Sequence, residues 1–222
     1  MPRAVVLQHI SCEPPGLFTG MLAERGFTAR TIAVGSLGGL AAAERGECDL
    51  APVHLLDPAS GVYNAHLLRK GLALVKGWQR MQGFVHRHDD ARFSGRSAAD
   101  ALAAALADPG CLMVNRNTGA GTRVLIDRML KGARPPGYSN QPRSHNAVAA
   151  AVAQRRADWG IATESVAGLY GLAFLPIAPE DYDFLLVESR RERPAVAAFV
   201  AALREETVRE TICALGIRPA DG

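Results

Sequence analysis

Two glycine-bearing corners hold the residues best able to do chemistry in this 222-residue chain. In the first, Val114-Asn115-Arg116-Asn117-Thr118-Gly119-Ala120-Gly121-Thr122-Arg123 follows an apolar run that reads as a strand over 111–114. It leads into a helix whose apolar stripe is expected at Val124, Leu125, Met129 and Leu130. A strand–turn–helix corner leaves backbone N–H groups unpaired at the positive end of the helix dipole. Glycines such as Gly119 and Gly121 let a bound group approach closely, and the hydroxyls of Thr118 and Thr122 add donors. Such a corner suits an anion. The second corner, Gly35-Ser36-Leu37-Gly38-Gly39, joins a strand over 29–34 to a helix over 40–45 that Gly46 stops. Each corner alone reads as well as a Ser or Thr N-cap with glycines for tight packing. Two of them, each with its own βα pattern, point to an anion held between.

Other side chains join these by position. Arg116 ends its strand and offers charge neutralisation, or else a structural salt bridge. Arg123 is as readily a solvated or ion-paired residue as a ligand contact. His54 and Asp57 follow a buried strand over 49–53. Their spacing fits a metal pair, but no third ligand has matching spacing, and catalytic zinc takes three protein ligands, so they read as fixing the loop, with Tyr63 and Asn64 packed against it. His145, beside Ser144, opens a helix over 146–155 and contacts ligand or caps. No cofactor and no metal is expected. Affinity sets a further condition. A helix N-terminus contributes about 0.3–1 kcal/mol, up to ~2 when partly buried, whereas micromolar binding needs ~8 kcal/mol. Several charge-assisted hydrogen bonds of roughly 1.5–3 kcal/mol each must therefore converge, which implies closure on binding.

The elements that position these residues alternate along the chain. Strands are expected over 4–7, 29–34, 49–53, 72–78, 83–86, 111–114, 159–162, 172–177 and 184–187. Helices are expected over 16–25, 40–45, 98–107, 146–155 and 164–170, with a weak one over 63–70 and a long one from Pro194 toward Leu215. Pro194 suits a first turn and Gly216 an exit; a Pro/Gly-rich break spans 133–142. This alternation predicts an α/β protein with parallel sheets covered by helices. Two crossovers, near 82–87 and 172–187, divide it into a first lobe of 1–84 plus 185–222 and a second of 85–184.

Composition narrows the class. Hydrophobic residues make up 48% and charged residues 21%, the balance of an ordinary globular protein. The formal charge is +3 and the arginines are scattered, so direct nucleic-acid binding gains no support. No apolar run reaches the ~18–20 residues of a membrane helix, and the first residues lack a secretory pattern. Cys12, Cys48, Cys111 and Cys213 show no C-x-x-C spacing and read as free thiols. A cytoplasmic location is the expectation.

The motifs in order resemble a known family. Val34-Gly35-Ser36-Leu37-Gly38-Gly39-Leu40, Asp49-Leu50-Ala51-Pro52-Val53-His54-Leu55-Leu56-Asp57 with Gly61-Val62-Tyr63-Asn64, Gln79-Arg80-Met81-Gln82-Gly83, the Val114 to Arg123 corner, Ser144-His145-Asn146-Ala147-Val148-Ala149, Ala157-Asp158-Trp159-Gly160 and Tyr182-Asp183 resemble the periplasmic-binding-protein-like domain found in molybdopterin biosynthesis proteins and behind helix-turn-helix modules. The resemblance covers roughly 31–215. It implies a two-lobed type II fold, each lobe a sheet flanked by helices, with a ligand cleft between. By similarity to molybdate and tungstate carriers, it implies a tetrahedral oxyanion ligand contacted by Gly35, Ser36, Leu37, Thr118, Gly119, Gly121 and Thr122. A Gly-Ser-His-Asp-like first loop of the family is replaced by Gln8-His9-Ile10-Ser11-Cys12-Glu13-Pro14-Pro15, where Ser11 is the candidate contact. With no DNA-binding or catalytic domain in the sequence, a partner protein of regulatory or molybdenum-cofactor role is expected. The alternative ligand is a phosphorylated organic or pterin-type molecule of that pathway. The opening around Cys12 also faintly resembles amidotransferase domains, but the G-x-C-x-G and G-x-S-x-G elbows are missing, so no enzyme is expected.

Overall fold

The computed structural model describes residues 3–8 and 15–220. Its contacts divide the chain into two units, one of residues 1–79 with 180–222 and one of 80–179. The sequence had set these borders at 84/85 and 184/185.

The first unit contains β1 (Arg3–Gln8), α1 (Pro15–Glu24), β2 (Thr28–Ala33), α2 (Ser36–Glu44) and β3 (Leu50–Val53). It also holds the first part of β4 (Leu72–His86), the last part of β7 (Ala173–Val187), α7 (Pro194–Ala202), α8 (Glu206–Ala214) and β8 (Arg218–Pro219). β1 pairs in parallel with β2 and β3, while β3 runs antiparallel to β7 and β8 antiparallel to β4. The second unit contains the rest of β4 and β7, with α3 (Ala98–Ala107), β5 (Met113–Val114), α4 (Gly121–Leu130), α5 (His145–Ala153), β6 (Trp159–Thr163) and α6 (Glu164–Leu169). There β6 is parallel to β5 and antiparallel to β4. The sheets are thus mixed, not purely parallel, because β4 and β7 each carry the chain from one unit into the other.

Both strands are continuous over fifteen residues, where the sequence suggested pairs of shorter strands. Within the interruptions, Gln79, Gln82 and Asp183 keep extended backbone paired in the sheet, to Arg218, Thr163 and Val53. Gly83 shows how closely the chains pass: a Cβ there would lie 2.5 Å from the Leu175 carbonyl oxygen. The helix expected over 63–70 is reduced to a single 3-10 turn, Ala65–Leu67. The long C-terminal helix is broken at residues 203–205 into α7 and α8. Pro194 does occupy the first turn of α7.

Strand periodicity places the cores. In β3 and β7, Leu50, Phe184 and Leu186 face one cluster with Phe18, Leu22, Trp78 and Phe199. Ala51, Val53, Leu185 and Val187 face the other, with Ala42, Ala43 and Leu67. In the second unit Phe84, Trp159 and Ile161 point to α3 and α4, while Val85 and Ala162 point to α5 and α6. Both faces are covered, which is why these strands read as near-continuous apolar runs. α4 turns Ile126 and Leu130 inward and leaves Val124 44% exposed, so the expected stripe is displaced from Val124 to Ile126.

Candidate functional site

In the first unit the α2 corner begins at Gly35, the N-cap, whose backbone is extended. Ser36 is the first helical residue and not the cap. It is fully buried, and its Oγ accepts a hydrogen bond from the His54 backbone N–H at 3.2 Å. Leu37, by contrast, is 54% exposed. The bond at Ser36 ties the helix entrance to the end of β3, which is why Gly35-Ser36 and His54 come together although Ser36 and His54 are 18 positions apart.

His54 is itself buried. Its Nδ1 lies 2.5 Å from Glu180 Oε1, and its ring stacks on Tyr182 with centroids 5.6 Å apart. Tyr182 continues the stack onto Trp78 at 4.9 Å, and Trp78 onto Phe18 at 5.8 Å. The imidazole is therefore fixed on one edge by a carboxylate and on one face by an aromatic column rooted in the core. Glu180 was not singled out from the sequence. It sits in Pro-Glu-Asp-Tyr-Asp, which reads as an exposed turn, and only the continuity of β7 buries it.

The segment after β3 is held by Asn64. Its Oδ1 accepts from the Leu55 N–H at 2.8 Å and its Nδ2 donates to Asp183 Oδ2 at 3.0 Å. Asn64 adopts a left-handed backbone, φ 64°, which Asn tolerates better than most residues. Asn64, expected to pack against the loop, thus bonds directly to it. Asp57, however, lies on the outer turn of the loop, accepting from the Ala59 N–H and the Ser60 hydroxyl. These hydrogen bonds, the Ser60 one first, hold its carboxyl below the usual range. It is paired with Ser60 and not with His54. Among the described residues no three His, Cys, Asp or Glu side chains come together as a metal would need.

In the second unit the long corner is organised by residues 115–117 running beside 140–142. Asn115 N–H donates to Asn140 O at 2.9 Å and Asn117 N–H to Pro142 O at 3.2 Å. This brings the entrances of α4 and α5 together. Thr122, in the first turn of α4, and His145, the first residue of α5, are both fully buried, with Thr122 Oγ1 3.5 Å from His145 Nε2. Arg116 is 1% exposed; its Nη2 donates to Arg143 O at 3.4 Å. Ser144 caps α5, its Oγ accepting from the Ala147 N–H at 3.0 Å, so capping falls to Ser144 and His145 is free of that task.

The α4 entrance differs from expectation at one residue. Its N-cap is Ala120, which offers no side-chain acceptor, and Thr118 is exposed on the turn before it. Gly119 makes that turn at φ +87°. The Arg123 N–H bonds back to Ala120 O, leaving the N–H groups of Gly121 and Thr122 with no acceptor inside the helix. The Arg123 side chain is structural. Its Nε reaches both Asp127 oxygens at 2.8 and 2.9 Å, its Nη1 donates to Arg116 O at 3.0 Å, and its Nη2 donates to the Tyr138 hydroxyl at 2.6 Å. It buttresses the strand end that carries Arg116. Ser11 lies outside the described residues.

The buried thiols Cys48 and Cys111 are poor nucleophiles. Burial pushes Cys48 and Cys111 each up to about 11, so little thiolate is present near neutrality.

A family profile described as the PBP superfamily domain matches residues 20–204. Over 169 residues the chain is 29% identical to "Uncharacterized protein YvgK" of Bacillus subtilis (strain 168), an overlap of 71% of this chain and 53% of that protein. The chain thus matches about half the length of that curated relative. Among solved structures the fold is similar to the tungstate ABC transporter from Geobacter sulfurreducens, with TM-score 0.71, 16% identity, and coverage of 96% of this chain and 98% of that one. It is also similar to the regulatory domain of MetR, a LysR family regulator from N. meningitidis, with TM-score 0.68, 10% identity, and coverage of 99% and 100%. At these identities the likeness is one of fold.

Proposed function

The chain belongs to the PBP superfamily, and on that footing we propose that it binds a tetrahedral oxyanion, molybdate or tungstate, which it senses or delivers without chemical change. The carrying observation is in the second unit: the buried Arg116 guanidinium reaches the Arg143 carbonyl, two residues before His145, and the buried His145 ring at the α5 entrance meets the buried Thr122 hydroxyl at the α4 entrance. A tetrahedral anion offers four oxygens to donors arriving from different directions. A charge-assisted bond from Arg116 is worth roughly 1.5–3 kcal/mol, and amide donors at α4 act along a favourable dipole. In the first unit, the α2 entrance at Gly35-Ser36 is a helix N-terminus of the same kind.

Isothermal titration with molybdate, tungstate, sulfate and phosphate tests the reading. Heat is expected for molybdate and tungstate, with dissociation constants near or below about 1 μM. Silence for all four would remove it. Arg116→Gln, which keeps hydrogen-bonding capacity but loses the charge, is expected to weaken binding about tenfold or more. A cytoplasmic location and a partner of regulatory or molybdenum-cofactor role belong to the same proposal. Free thiols at Cys48, Cys111 and Cys213 support the location, and cell fractionation with an epitope-tagged chain checks it.

A further inference from the structure

A cavity of about 190 Å³ opens in the first unit where α7 and α8 part, against β4. Its apolar wall is Leu74, Val75, Val200 and Leu203, and its polar lining is cationic: Lys76, Arg191, Arg204 and Arg209. No carboxylate lines it. Lys76 is already paired with Asp183 at 3.1 Å, and Arg209 uses Nη1 on the Ala220 carbonyl at 2.9 Å. The nearest acid of the break, Glu205, is taken by Arg25 at 2.5 Å. Arg191 and Arg204 have no side-chain hydrogen bond or ion pair among the described residues. Three guanidiniums line this cavity with no carboxylate among its lining residues, a positive setting that suits a multiply charged anion.

We propose that this cavity binds a small organic phosphate, its dianionic head on Arg191, Arg204 and Arg209 and its apolar body on Val200 and Leu203. Guanidinium forks match phosphate oxygens in pairs. The hydrocarbon wall distinguishes the guest from a bare inorganic anion, which would leave it wet. The volume is below the ~300–1,000 Å³ of pockets for drug-sized ligands, so the body is a few carbons or a single ring. This site shares no residue with the oxyanion cluster and stands independently of it.

Phosphorus NMR and calorimetry with phenyl phosphate, inorganic phosphate and phenol test the proposal on the full chain. Phenyl phosphate is expected to bind with a dissociation constant near or below about 1 mM, more tightly than either fragment. Arg204→Glu and, separately, Arg191→Glu should each weaken it about tenfold or more, with thermal midpoints close to the parent because both side chains are exposed. Arg116→Gln should leave phenyl phosphate binding unchanged, which separates this site from the oxyanion reading. The proposal is overturned by absence of binding at about 10 mM, by charge-reversed variants that bind like the parent, or by loss of binding in Arg116→Gln. Vesicles of phosphatidylcholine with phosphatidic acid form the last arm: retention on them that phenyl phosphate does not compete away would assign the arginines to a lipid surface and overturn a soluble guest.

Discussion

Ser36 makes a structural bond that can be measured without any ligand. Its hydroxyl accepts the buried His54 N–H, and removing a buried acceptor costs about 1–3 kcal/mol. For a chain of this length that corresponds to a fall of roughly 2–12 °C in Tm, so Ser36→Ala should melt measurably earlier in a calorimetric scan even without ligand. An unchanged midpoint would mean that the hydroxyl is not bearing that N–H. The two corner hydroxyls expected from sequence to be alike are not: Ser36 is buried and bonded, Thr118 is exposed. Residue type and glycine spacing marked both corners, but exposure depends on what packs over them. The same limit hid Glu180, whose partner His54 is 126 residues away.

Helix entrances provide the next contrast. Ser144 caps α5 through the Ala147 N–H, so Ser144→Ala should cost about 0.5–2 kcal/mol. Thr118→Ala, outside the first turn of α4, should stay within about ±0.5 kcal/mol; paired urea titrations read the difference. Strand contact gives a harsher case. At Gly83 a Cβ would meet Phe174 Cζ at 2.3 Å and the Leu175 carbonyl oxygen at 2.5 Å. The ring can swing aside but the carbonyl cannot, because it belongs to β7. Gly83→Ala is therefore expected to destabilise by about 1–3 kcal/mol or more, and a midpoint equal to the parent would contradict the strand pairing. Most elements were legible because apolar period and glycine or proline punctuation are local. The errors at β4, β7 and the C-terminal helix have one physical origin. Whether a polar stretch stays extended, or a helix continues past Leu203-Arg204-Glu205, is decided by partners distant in sequence.

For the molecule as a whole, one contribution to acid stability is an ion-pair network in the second unit. Arg92 reaches Asp90 at 2.7 Å, Asp158 at 2.9 Å and Asp108 at 3.1 Å, while Arg87 also reaches Asp158 at 3.0 Å. The Arg92 hydrogen bond, opposed by burial, holds the Asp90 carboxyl below its ordinary 3.8. Burial works against the charge at Asp158 too, yet the Leu112 N–H with Arg87 and Arg92 leaves it lowered. For a depressed carboxylate the folded state binds fewer protons than the unfolded chain. Its stabilisation is complete above the unfolded value and is lost as pH falls from about 4 through the folded one. The Tm of the parent should thus drop more steeply below pH 4 than that of Asp90→Asn, and parallel curves would refute the assignment. The chain's own residues determined the α/β class, the two anion-friendly corners and most helix and strand positions, because these follow from periodicity, capping and glycine placement within a few residues. Tertiary structure alone decided that β4 and β7 run unbroken, that Glu180 lies buried on His54, and that the arginines beside the α7–α8 break line one cavity. Each of those facts is a contact between segments far apart along the chain, and no local preference encodes it.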